Sequence, residues 1–173
     1  MGSAVLGVSF NSCNISETKL IDGFRINAHP NLGFTVILNP DSGPGALPYP
    51  NGDFFPQIQR LNQYSNVDVV GYVHTSYGTR NITNVLADVA TYSAWAANSS
   101  SIELSGIFFD EAPSEYSSDM ATYMSTIDQA VKNAVGLQQR TVSNRTLPLV
   151  DKLHDIPLLS VYSIEWHKIT AID

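Results

Sequence analysis

Two carboxylates stand side by side at Asp110-Glu111 and a third at Glu165, each placed after an apolar run: Gly106 to Phe109 before the pair, Leu158 to Ile164 before the single acid. Removing an ionised carboxylate from water without partners is costly, so acids delivered by buried strands are seldom accidental. Two carboxyl groups facing each other across a cleft meet the chemical requirement of glycoside hydrolysis: one protonates the leaving oxygen while the other attacks or activates water. The competing account is a helix-capping acid at a strand-to-helix turn. Neighbouring side chains diverge on a strand, so one of Asp110 and Glu111 is expected to face a cleft and the other a wall or the following loop. Residue types leave open which does which.

Polar residues follow two other apolar runs. After Phe34 to Leu38 comes Asn39-Pro40-Asp41-Ser42-Gly43-Pro44-Gly45, whose prolines and glycines fix a non-helical loop that serves equally as a site wall carrying Asn39 and Ser42 or as a rigid turn. After Val67 to Val73 comes His74-Thr75-Ser76-Tyr77-Gly78-Thr79-Arg80. An aromatic face there can stack on a sugar ring, and imidazole and hydroxyls can bond its periphery, which makes His74, Ser76 and Tyr77 candidates for substrate binding. By itself, a histidine at a strand end is more commonly a hydrogen-bonded structural residue than a catalyst. A metal site built from His74, Asp110 and Glu165 is the weaker alternative, because no tight ligand spacing such as His-Glu-x-x-His occurs. The reading assigns no metal and no cofactor.

The elements that must position these residues alternate. Strands are expected at Ala4 to Phe10, Phe34 to Leu38, Val67 to Val73, Gly106 to Phe109, Arg140 to Ser143 and Leu158 to Ile164, with near-continuous hydrophobicity that suits strands covered on both faces. Between them, helical spacing runs from about Phe54 to Tyr64, Thr83 to Ala97 and Ser118 to Val135, with a shorter helix near Glu17 to Asn27. Leu86, Val89, Ala90 and Trp95 are expected to face the core from the second, and Met120, Met124, Ile127, Val131 and Ala134 from the third, which Ser118 would cap and Gly136 end. Repeated strand-helix units predict an α/β fold with a parallel sheet, whose reactive groups gather outside the carboxyl ends of the strands. An open doubly wound sheet is the alternative architecture.

Across 173 residues, sixteen acids against nine bases give a formal charge of -7. No Lys and Arg cluster offers a phosphate-backbone surface, so nucleic acid is not an expected partner. No apolar run approaches the roughly 20 residues that cross a bilayer. One cysteine, Cys13, excludes an internal disulfide and a cysteine-cluster zinc site. Acceptor sequons at Asn14, Asn81, Asn98 and Asn144 are weak pointers to secretion, and Met1 to Phe10 shows no signal peptide.

Three long motifs in order, Phe34 to Gly45 (FTVILNPDSGPG), Val70 to Arg80 (VGYVHTSYGTR) and Gly106 to Pro113 (GIFFDEAP), resemble the spherulin 4 family of fungi and slime moulds. The similar stretch runs from roughly Asn27 to Glu165. The resemblance implies a TIM-barrel-like (β/α) fold and endo-acting hydrolysis of a galactosamine-containing cell-wall or extracellular polysaccharide, outside the cell or at its surface. It carries the catalytic roles onto Asp110, Glu111 and Glu165. The chain departs from the family where Asn144-Arg145-Thr146 replaces an Asn-Pro-Gly-Thr turn, and Asn11 to Asp22 lacks the usual Pro- and Trp-containing loop. With about six strand-helix units against the eight of a full barrel, the expectation is one domain over residues 1–173, an incomplete barrel cut short beyond Glu165. An inactive relative that binds cell-wall glycan through the His74 to Tyr77 rim is the alternative function.

Overall fold

The computed structural model describes residues 3–9, 26–46, 50, 54–143, 159–160 and 165–166; residues 3–9, 159–160 and 165–166 are described by their backbone alone. Its centre is a parallel sheet of seven strands: β1 (Ser3–Ser9), β2 (Gly33–Asn39), β3 (Val67–His74), β4 (Leu104–Asp110), β5 (Leu137–Ser143), β6 (Leu159–Ser160) and β7 (Glu165–Trp166). In space they run β6-β5-β4-β3-β2-β1-β7. Four helices are described: the single turn α1 (Ile26–Ala28), α2 (Phe54–Leu61), α3 (Ile82–Asn98) and α4 (Ser118–Asn133).

The helices form because their apolar residues recur at one-turn spacing and so share a face. Val85, Val89, Tyr92 and Trp95 are buried from α3, and Met124, Ile127 and Val131 from α4. These pack with Ile58 and Leu61 of α2 against Val36, Leu38, Val69, Val73, Ile107 and Phe109 in one cluster. Every described helix therefore covers the same face of the sheet. Sequential strand order from β1 to β5 with helices on one face excludes the doubly wound alternative, which reverses strand order and covers both faces. The fold is α/β with a parallel sheet, and among the described residues that sheet is not closed: β6 and β7 form its two edges.

The other face is sorted into tiers along the strands. At the foot, Arg140 pairs with Asp68 and its Nη2 donates to Thr35 Oγ1 at 3.1 Å. Above this lies an apolar tier of Ile37, Val70, Phe108 and Val142, all fully buried, with Tyr72 packed on it. Above that, Tyr72 and His74 of β3 stand beside Phe108 and Asp110 of β4 in register. The helix side is fitted just as closely: the Tyr92 ring occupies the space where a Cβ on Gly71 would stand, 2.8 Å away, and its hydroxyl donates to the carbonyls of Tyr72 and Leu38.

Several expectations are corrected. Of the strand expected over Leu158 to Ile164, Leu159–Ser160 is described as a strand, and Glu165–Trp166, just beyond that range, forms another on the opposite edge of the sheet, so the described strands number seven rather than six. β5 begins at Leu137, not Arg140, because a bulge with Gln139 at φ 65° interrupts its pairing with β4. Ser117, not Ser118, caps α4, its hydroxyl accepting from the Met120 amide at 3.1 Å. The helix ends at Asn133 with Ala134 as C-cap; Gly136 serves a different purpose, since a Cβ there would stand 1.9 Å from the Ser93 carbonyl oxygen. Ala90 is exposed, and Val85 takes the core position assigned to it. Residues 17–25 of the expected first helix, Cys13, and the sequons at Asn14 and Asn144 lie outside the described residues.

Candidate functional site

Asp110 is the last residue of β4, and the alternation of the strand puts it on the same face as Phe108, away from the helices. Its carboxylate accepts at both oxygens: Oδ2 from the Tyr72 hydroxyl at 2.9 Å and Oδ1 from the Glu111 amide at 2.8 Å. Burial, and then the adjacent Asp110 carboxylate, raise the Tyr72 phenol well above its usual range. It therefore stays protonated and donates. Strand register explains the meeting, because Tyr72 lies two residues before His74, the partner of Asp110.

Glu111 turns away from the strand in the left-handed region, at φ 52°. Non-glycine residues enter this region at a cost of about 1–2 kcal/mol, so something must hold it there. The holder is the end of β3. Thr75, fully buried, donates its hydroxyl to the Glu111 carbonyl at 2.7 Å and to the Asp110 carbonyl at 3.2 Å, while the Tyr77 amide donates to the same Glu111 carbonyl at 2.7 Å. The Glu111 carboxylate has no hydrogen-bond partner among the described residues and is half-buried.

His74 completes the rim toward β2. Its Nδ1 lies 3.2 Å from the Ser42 carbonyl oxygen, which can only accept, so Nδ1 carries the proton and Nε2 is left to interact elsewhere. Ser42 is itself at φ 51° and exposed, and it joins the site through its carbonyl. The Asn39 side-chain oxygen accepts from the Gly43 amide at 3.2 Å, so this residue shapes the loop. Arg80 fastens the back of the rim, bonding the His74 carbonyl at 3.1 Å and pairing with Asp88 of α3 at 2.8 Å. Ser76 and Tyr77 lie in a short 3-10 turn, both in the left-handed region.

The structure thus brings Asn39, Ser42, His74, Ser76, Tyr77, Asp110 and Glu111 together at the carboxyl ends of β2, β3 and β4. Glu165 is placed differently. Its backbone lies within β7 and pairs with Leu6 of β1, which is level with Val36 and Val69, and so with Ser105 of β4. That is four strands away from Asp110 and five residues toward the foot, roughly 16 Å along the strand direction at about 3.3 Å per residue. Sequence reasoning missed Tyr72 and Thr75. Tyr72 sits inside an apolar run and reads as core; its meeting with Asp110 depends on a pairing register that no single segment contains.

A cleft of about 700 Å³ opens at the opposite end of the sheet, among residues that include Gln59, Asn62, Ser101 and Gln138. Two of its amides are occupied: Asn62 donates to the Ser101 and Glu103 carbonyls and Gln59 to the Ser101 hydroxyl. Of the two acids that line it, Asp68 and Glu103, the first is paired with Arg140. Among the described residues no group of three or more His, Cys, Asp or Glu is placed to hold a metal ion, and no helix is long and apolar enough to cross a membrane.

Spherulin-4 of Physarum polycephalum is 36% identical over 113 residues, which cover 65% of this chain and 31% of that protein. The crystal structure of Aspergillus clavatus Sph3 in complex with GalNAc superimposes with a TM-score of 0.77 at 36% identity, over 84% of this chain and 58% of that one. The chain thus spans about a third of the first relative and somewhat over half of the second. The family model described as Spherulation-specific family 4 matches residues 22–154, and the chain belongs to that family.

Proposed function

We propose that this rim binds and hydrolyses a galactosamine-containing polysaccharide, with Asp110 and Glu111 carrying the reaction. The observation that carries the reading is the Asp110 carboxylate, fixed by the Tyr72 hydroxyl and the Glu111 amide at the strand ends. Preorganised acceptor oxygens suit the group that attacks the anomeric carbon, activates water or stabilises the developing oxocarbenium charge. Glu111, whose carboxyl group is engaged by no described residue, is assigned as the proton donor to the leaving oxygen. His74, Ser76 and Tyr77 bind the sugar. Glu165 enters the proposal on family resemblance alone. The complex of the similar Sph3 with GalNAc supports an amino-sugar ligand, and a polymeric substrate implies action outside the cell or at its surface. The finer architecture we infer is a (β/α)-barrel open between β6 and β7, supported by sequential strand order and helices on one face.

The register of Glu165 favours a second reading, glycan binding without hydrolysis. Reducing-end release from partly de-N-acetylated galactosaminan, measured beside a pull-down on the same polymer, separates the two. Hydrolysis by the wild-type chain that Asp110→Asn abolishes with binding retained is the expected result. Binding without release by the wild type would establish the second reading, and neither binding nor release would refute both.

A further inference from the structure

Three large apolar or aromatic side chains remain mostly exposed among the described residues: Tyr77 at 62%, Tyr116 at 56% and Val135 at 99%. Val135 lies in the turn between α4 and β5, at the foot of the sheet. The two tyrosines lie in the loops after β3 and β4, the same two loops that form the rim around Asp110 and Glu111. The loops touch. Gly78, next to Tyr77, stands so close to the segment around Tyr116 that a Cβ on it would meet Pro113 Cγ at 2.9 Å and Met120 Sδ at 2.3 Å.

Resting on the function proposed above, we infer that Tyr116 and Tyr77 form an outer platform on which successive sugar rings of the polymer stack, beyond the ring held at Asp110. Tyrosine suits this purpose because its ring offers a large apolar face with only two side-chain torsions to fix, and its hydroxyl stays hydrated when the platform is empty. The backbone of Tyr77 is held in place before any ligand arrives: at φ 57°, it follows Ser76 at φ 49°, and its amide is tied to the Glu111 carbonyl. Solvent exposure of a side chain on so constrained a backbone gains the free protein nothing, whereas a stacking surface needs a fixed ring.

Charge narrows the occupant. Residues 110–119 include Asp110, Glu111, Glu115 and Asp119 and no Lys or Arg. Uronate or sulfated chains would be repelled from this flank, and chains bearing amines or no charge accepted. The platform therefore belongs to an amino-sugar polymer long enough to reach from Asp110 across the loop after β4.

The test uses the full chain carrying Asp110→Asn, so that oligosaccharides persist during the measurement. Calorimetric titration compares this protein with its Tyr116→Ala and Tyr116→Trp derivatives, using galactosamine, long galactosaminan oligosaccharides and polygalacturonate as probes. Tyr116→Ala is expected to weaken the long oligosaccharides roughly ten-fold, the scale of one aromatic contact, and to leave galactosamine unchanged. Tyr116→Trp should retain long-chain affinity, and polygalacturonate should not bind. Equal long-chain affinity with and without the Tyr116 ring, equal loss on the monosaccharide, or tight binding of polygalacturonate would overturn the platform. A parent protein that binds no galactosaminan of any length would instead overturn the function on which it rests. Thermal melts of the three proteins should coincide, because more than half of the Tyr116 surface is already in water.

Discussion

Thr75→Val tests whether the end of β3 holds Glu111 in its left-handed pose. Valine matches threonine in shape, so no cavity opens at this fully buried position. The hydroxyl has one proton to share between the Glu111 and Asp110 carbonyls, so its loss counts as one hydrogen bond, about 1–1.5 kcal/mol. Neither carbonyl is orphaned, because the Tyr77 amide still serves Glu111 and the Thr75 amide still serves Asp110 at 3.0 Å. That rules out the larger penalty of about 3 kcal/mol for an unsatisfied buried acceptor. A methyl group adds one further effect: carbon approaches a carbonyl oxygen no closer than about 3.3 Å, and the hydroxyl now sits at 2.7 Å. The Glu111 carbonyl must retreat, and the pose loosens. The expected total is about 2 kcal/mol, read as a lower urea midpoint at unchanged slope. Thr75→Ser keeps the hydroxyl and loses a buried methyl, about 1 kcal/mol. Both variants should therefore be destabilised, but only valine should also lose glycan turnover. Full turnover in Thr75→Val, or equal loss of turnover in both variants, would refute the clamp.

Two other outcomes follow from the same site. Tyr72→Phe removes the donor to Asp110 while its ring keeps its place 6.2 Å from Phe108; turnover should fall about ten-fold, the worth of one hydrogen bond to a charged group at its lower end, and unchanged turnover would remove Tyr72 from the site. Tyr72, Tyr92 and Tyr123 all have phenols raised above the usual 10.0, in each case chiefly by burial. A raised folded value contributes stability that is complete below the unfolded pKa and disappears as pH climbs toward the folded one. Urea midpoints should hold up to about pH 9 and decline above about pH 10, and an ultraviolet titration should leave Tyr72 and Tyr92 silent until unfolding; ionisation of every tyrosine near 10 in the folded protein would contradict their burial.

How much of this was legible beforehand depended on whether the controlling interaction was local. Val67 to Val73 and Gly106 to Phe109 read as strands because an unbroken apolar run needs no partner to be recognised, and Asp110 followed as the residue on which the run ends. The spacing in α4 located its buried face, but two adjacent serines compete for its cap and only backbone geometry selects Ser117. The strand expected from Arg140 begins three residues earlier, at Leu137, since Gln138 and Gln139 are exposed and the bulge that admits them is a property of the pairing with β4. The left-handed backbone of Glu111 could not be read from the sequence, because its ties to Thr75 and Tyr77 join residues more than thirty positions apart. Register likewise separates Glu165 from the position its preceding apolar run implied.

The tiers on the face turned away from the described helices divide labour between two polar assemblies. Arg140, Asp68 and Thr35 anchor β5, β3 and β2 to one another at the foot, whereas Tyr72 and Asp110 serve the rim, and Val70 and Phe108 stand between them. From Asp68 to Tyr72 is four residues of strand, roughly 13 Å at about 3.3 Å per residue, and the foot pair is neutral as a unit. Substitutions below can therefore reset how firmly neighbouring strands are tied without altering the field felt by substrate above. A lineage, or an engineer, could change durability at one end of these strands and specificity at the other as independent traits.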